Sequence, residues 1–234
     1  MEKSSKKLKF VANFEMESWF IKNKYSDTAK LIGKKEFIDL ASKNVNGCHC
    51  KNKKDFTVYL NKYIIKNKKD IIFEIKQKKK IIEKRWHKFE KKFFYSLEQI
   101  TGVNWKYKNY KCYLCSTCFF GGDYDIQKPN IYINPLSKHG DPSYVIFHEL
   151  SHLLFWNYVF LKYSKSFVKE NYYFLWKLSE IMVNFPLLKL DLKFYFPLTI
   201  PEKLRKFGKP IVEKFSIMNF TDIIDSEIKN REEL

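Results

Sequence analysis

A chain of 234 residues has material for one large domain or two small ones, with a sizeable core in either case. Its formal net charge of +18 is uneven: residues 1–100 hold 26 Lys+Arg against 12 Asp+Glu, and the remainder holds 18 against 14. Only three of the 44 basic residues are Arg, the side chain suited to bidentate phosphate contact, so the Lys excess reads as A/T-rich coding bias and argues against a nucleic-acid partner.

No apolar signal region follows the Lys-rich start, and no charge-free apolar stretch reaches the roughly 18 residues of a membrane span. Five cysteines, an odd number, fit a reducing compartment better than a disulfide framework, so a cytoplasmic protein is expected.

Residues 1–9 are expected to be a disordered basic leader. Phe10 to Asn23 and Thr28 to Lys43 predict two short helices, the second weakened by Gly33, and Asn44 to Lys54 predicts a loop. Asp55 suits an N-cap ahead of an apolar stripe formed by Leu60, Ile64, Ile71, Ile75, Ile82, Trp86, Phe89, Phe93 and Leu97. Lys78 to Lys80 interrupt that stripe, which divides it into one helix or two, and Gly102 supplies the terminating residue. Residues 1–102 thus read as a helical, Lys-rich accessory region, and 103–234 as a second unit carrying the chemistry. In that unit Tyr110 to Phe120 predicts a strand closed by a turn at Gly121-Gly122, and Ile131 to Asn134 predicts a second strand bounded by Pro135. Asp141 at N-cap and Pro142 at N1 open the next helix. Another is expected over Ser166 to Asn184, ended by Pro186. Leu187 to Ile200 is apolar, a short helix is expected from Pro201 to Gly208, and a last one near Thr221 to Asn230. The fold class is therefore α+β and predominantly helical.

The chemistry concentrates in His148-Glu149-Leu150-Ser151-His152, inside the apolar run Tyr144 to Phe160. Helical residues i and i+4 share a face, so both imidazoles point the same way and can ligate Zn²⁺, with Glu149 placed to take a proton from a water. The apolar surroundings argue that these polar groups are buried, and burial is costly unless they are paired or metal-bound. A catalytic zinc needs a third protein ligand and an open position, whereas a fourth ligand would make the site structural. A metzincin would have Gly and His at the third and sixth positions after the motif, but Phe155 and Tyr158 stand there. Glu180, among core-type residues on the following helix, is the favoured ligand. Glu170, near a helix start where the dipole already stabilises a carboxylate, is the alternative, with Asp191 or a C-terminal Asp behind it. Asn184, one turn beyond Glu180, is a candidate to orient a ligand.

These residues resemble the gluzincin group of zinc metallopeptidases, especially compact cytoplasmic forms, over about residues 103–190. The resemblance implies a zincin-like core: a short antiparallel sheet, an active-site helix and a Glu-bearing helix. It implies His148, His152 and Glu180 as Zn²⁺ ligands, Glu149 as general base and a peptide or protein substrate. An oxyanion donor is common in that group, but no motif assigns it here, and Tyr195, Tyr173 and His139 are candidates. The stretch Glu180 to Leu188 is also loosely similar to the helix carrying the third ligand in ImmA/IrrE-type regulatory proteases. Two other patterns carry less. Cys112, Cys115 and Cys118, with Cys48, His49 or Cys50 as a further candidate ligand, have metal-like spacing, but in a strand Cys115 would face away from the other two. Asn184-Phe185-Pro186 with Leu190-Asp191 is faintly similar to site-2-type intramembrane proteases, which need several membrane spans. The competing class is a zinc-stabilised interaction protein that does no catalysis.

Overall fold

The computed structural model describes residues 6–25, 53–118, 121–137, 141–190 and 200–232. It is α+β and mostly helical, built around a four-stranded mixed sheet. The strands are β1 (Lys7–Val11), β2 (Asn109–Leu114), β3 (Gly122–Tyr124) and β4 (Asn130–Ile133), in the order β1-β2-β4-β3. β1 and β4 both run parallel to β2, and β3 runs antiparallel to β4 at the edge, so the sheet is mixed and not the short antiparallel one expected.

Strand alternation divides the hydrophobic residues between two clusters. Leu8, Phe10, Tyr110, Cys112, Leu114, Ile131 and Ile133 enter the larger core. Tyr132 faces the smaller one, with Tyr113 packed against it, among Phe20, Ile21, Tyr25, Phe56, Leu60 and Ile64. The last six come from α1 (Glu15–Asn23), the residues after it, and α2 (Lys53–Lys66). Glu17, fully buried on α1, fastens that helix to the turn after β2 by accepting from the N–H groups of Ser116 and Thr117 and from the Thr117 hydroxyl. This is how a buried carboxylate is tolerated.

The N-terminal half differs from expectation in two ways. Lys7 to Lys9 are strand, not leader: the lysines face out while Leu8 and Phe10 face in, a period of two hidden by the charges. The expected Phe10 to Asn23 helix consequently starts only at Glu15. The long stripe is three helices: α2, α3 (Lys68–Trp86) and α4 (Glu90–Thr101). The breaks fall at Asn67 and at residues 87–89; Lys78 to Lys80 lie within α3, where Lys78 and Lys80 simply face solvent. Gly102 ends α4 at φ 70°, the left-handed region where a Cβ is strained. The expected helix Thr28 to Lys43 lies outside the described residues.

α5 (Pro142–Lys162) carries the His148 to His152 motif through the middle of the molecule. The Asp141 carboxylate accepts from the Ser143 N–H at 2.7 Å, and Pro142 stands at N1. The helix ends where Tyr163 turns extended and the Ser164 hydroxyl caps α6 (Lys165–Glu170). α5 is apolar on nearly every side because it is covered on nearly every side: β3 and β4, α3, and α7 (Tyr172–Met182) all pack on it. The helix expected from Ser166 to Asn184 is α6 and α7 with a break at Asn171. Pro186 does not end it. It sits in the first turn of α8 (Asn184–Lys189), where a proline costs no internal hydrogen bond. After a 3₁₀ turn at Glu202–Leu204, α9 (Arg205–Glu213) continues past Gly208, which packs against Ile181, and α10 (Phe220–Glu232) closes the chain. The sheet and the larger core draw on both sides of residue 102. No described helix is long and apolar enough to cross a membrane.

Candidate metal centre

On α5, one turn sets the His148 and His152 rings at 4.8 Å between centroids with their Nε2 atoms 3.2 Å apart. Glu180 reaches them from α7, with Oε1 3.8 Å from His152 Nε2. Ligand atoms of all three residues lie within 4.8 Å of one another, a group that could hold a metal ion. Tetrahedral coordination at zinc–nitrogen distances of about 2.05 Å would separate two ligand nitrogens by roughly 3.3 Å, so the two imidazoles need almost no adjustment, while the Glu180 carboxylate would move closer. Among the described residues the group has these three members and no fourth.

The electrostatics suit cation uptake. Burial holds the His148 imidazole down at about 4, and burial with the neighbouring His148 lowers His152 well below the usual range. Both rings are therefore neutral at pH 7, as ligation requires. Burial, and then Asp123, push Glu180 up to about 7 against a hydrogen bond from Trp176. Burial, Asp123 and Glu180 push Glu149 well above the carboxylate range, and Lys24 opposes the shift. Carboxyls whose ionisation is opposed by burial and by neighbouring acids favour a cation nearby.

A raised carboxyl withdraws stability from the metal-free fold as pH climbs from 4.5 through 7, and lowered imidazoles withdraw it as pH falls from 6.5 towards 4. Below about 7 a metal must displace the Glu180 proton. Apparent metal affinity should therefore rise about tenfold per pH unit on the acid side of 7 and flatten above it, as read by competition with a chromophoric chelator. A flat profile through pH 7 would remove Glu180 from the ligand set.

The centre lies on the wall of a cleft of about 680 Å³. α1 contributes Trp19 and Asn23 with Lys24 beyond its end; β3 contributes Gly122, Asp123 and Tyr124; α7 contributes Tyr172, Tyr173, Trp176 and Glu180; Pro201 to Leu204 complete the rim. Along β3 the side chains alternate. Gly122 faces Glu149 so closely that a Cβ there would stand 2.2 Å from its Oε1. Asp123 turns to the α1 side and pairs with Lys24 at 3.1 Å. Tyr124 returns to the α5 side and stacks on His152 with centroids 4.3 Å apart. Its hydroxyl accepts from Trp156 Nε1 at 3.2 Å and lies 3.5 Å from the Ser179 hydroxyl, which anchors the Tyr124 ring where it stacks on the His152 imidazole.

Of the residues expected at a site, His148, Glu149, His152 and Glu180 converge here. Glu170 ends α6, exposed and away from the cleft wall. Asn184 donates to the backbone carbonyls of Glu180 and Ile181. Tyr173 lines the cleft half-exposed. Asp191, Tyr195 and His139 lie outside the described residues, as do Cys48, His49 and Cys50. The cysteine geometry differs from expectation: β2 stops at Leu114, and the following turn puts Cys118 with Cys115 in the smaller core, while Cys112 points into the larger. All three are buried free thiols. Gly122, Asp123, Tyr124 and Lys24 escaped sequence reasoning. A three-residue edge strand of Gly, Asp and Tyr has no alternation to detect, and its glycine and acid suggest a turn.

Compared with known proteins, the chain matches no family model, no curated protein and no solved structure.

Proposed function

We propose that this chain is a zinc-dependent metallopeptidase of the gluzincin type with a zincin-like core. The observation that carries the reading is the convergence of two neutral imidazoles and one carboxylate on the wall of a cleft, with a second acid, the buried Glu149, beside them. Two histidines and one glutamate form a recognised catalytic donor set for Zn²⁺, and three ligands leave a position for water or substrate. The ion, when bound, supplies a Lewis acid for the scissile carbonyl and its water.

The remaining work belongs to the chain. Glu149 takes the proton of the attacking water and returns it to the leaving amine, and burial raises its basicity toward that task. Gly122 leaves the space in which the carboxylate sits. Tyr124 holds the His152 ring in orientation. β3, an edge strand bordering the cleft, offers backbone groups to an extended peptide. Buried free thiols suit the cytoplasm, where we place the protein. Purified full-length chain is expected to bind one zinc per molecule at neutral pH and to hydrolyse an unfolded protein such as casein. His148→Ala should lose both properties, and zinc content unchanged in that variant would sink the assignment.

A further inference from the structure

The outer edge of β3 is covered at one end. The carbonyl of Gly121 and the N–H of Asp125 bond to Asn134 and Asn130 across the β4 side. By the alternation of an antiparallel ladder, the backbone groups of Gly122 and Tyr124 then point away from the sheet. At Tyr124 both are already satisfied. Its N–H donates to Asp123 Oδ1 at 2.6 Å, and its carbonyl accepts from Lys24 Nζ at 2.5 Å. Lys24 Nζ also donates to the same Asp123 Oδ1 at 3.1 Å and lies 5.4 Å from the Tyr132 ring centroid. Lys24 arrives from the C-terminal end of α1, nearly a hundred residues earlier in the chain.

We infer that Lys24 and Asp123 are specificity-determining residues: together they cap the Tyr124 edge, so that an extended peptide can pair with β3 at Gly122 but not beyond it. The inference rests on the reading of the cleft as a peptide site. An edge strand offers one donor and one acceptor at every second residue, and a peptide that continued along β3 would have to displace both partners of Tyr124. The capped end therefore bounds the cleft. It favours chains that are short, or that turn away, on the Tyr124 side of Glu149, and α1 belongs to the substrate-selecting wall.

The test uses full-length protein carrying Glu149→Gln, which binds without turnover, and a fluorescein-labelled unstructured peptide of alternating Val and Thr read by anisotropy. Lys24→Met keeps the aliphatic stem and removes the donor. It should tighten binding about tenfold, the worth of roughly 1.4 kcal/mol from one newly available backbone pair. Asp123→Asn, whose amide oxygen still accepts from Tyr124, should tighten binding less. Equal affinity in all three proteins, or no binding by any, overturns the proposal. Tighter binding together with an inert Glu149-bearing chain keeps the cap and discards hydrolysis. Hydrolysis of a substrate without peptide binding does the reverse.

Discussion

Replacing Glu149 with Gln is expected to lower kcat for peptide hydrolysis by about a thousandfold, the range a positioned general base supplies, while zinc content stays at the wild-type level. Gln has nearly the shape of Glu, so the close approach to Gly122 survives. It lacks the basic oxygen. The same substitution should leave the thermal midpoint unchanged or raise it. Burial and the nearby Asp123 and Glu180 oppose ionisation at Glu149, so the neutral amide removes an electrostatic cost that only function justifies. Lost turnover without lost stability separates chemistry from folding. Comparable kcat in the Gln variant would show that another group takes the proton, and a fall in the midpoint with activity would point to a structural role.

Adding a single methyl at Gly122 should be nearly as damaging. An alanine Cβ would stand 2.2, 2.6 and 2.7 Å from Oε1, Cδ and Cγ of Glu149. The overlap reaches back to Cγ, so rotating the carboxylate alone does not relieve it. Glu149 is only 6% exposed on a helix packed on nearly every side, which leaves it little room to retreat. We expect Gly122→Ala to reduce kcat at least a hundredfold through displacement of the carboxylate, and to destabilise the fold by about 1–3 kcal/mol, as overpacking does. Zinc should still bind, because Gly122 approaches none of the three ligands as it does Glu149. The measurements are steady-state kinetics beside metal analysis and thermal denaturation. Wild-type kcat in this variant would mean that Glu149 need not occupy its present position to act.

Both effects concern a contact between α5 and β3, and the two sides differed in how readable they were. The His148 to His152 spacing is a local property: any helix through those residues puts both imidazoles and Glu149 within one turn, and Asp141-Pro142 announces where the helix begins. Glu180 was legible through its surroundings, since a carboxyl among Leu175, Leu178, Ile181 and Met182 needs a partner. Most of the helices could be read from their apolar stripes. Their breaks at Asn67, residues 87–89 and Asn171 could not, because no glycine or proline marks them.

By itself, then, the amino-acid sequence determined the α+β class, the central helix, the four polar residues of the candidate site and most of the elements that bury them. Those depend on periods of two and 3.6 and on spacings of a few residues, which the chain carries locally. Only the tertiary structure decided that Lys7 to Val11 is a strand of the same sheet. It also decided that Gly122 to Tyr124 forms the cleft edge, and that Lys24 crosses from α1 to pair with Asp123. Each is a meeting of segments roughly a hundred residues apart, or a strand too short to have a period. Such contacts exist only after the sheet has assembled and the buried groups have found their partners.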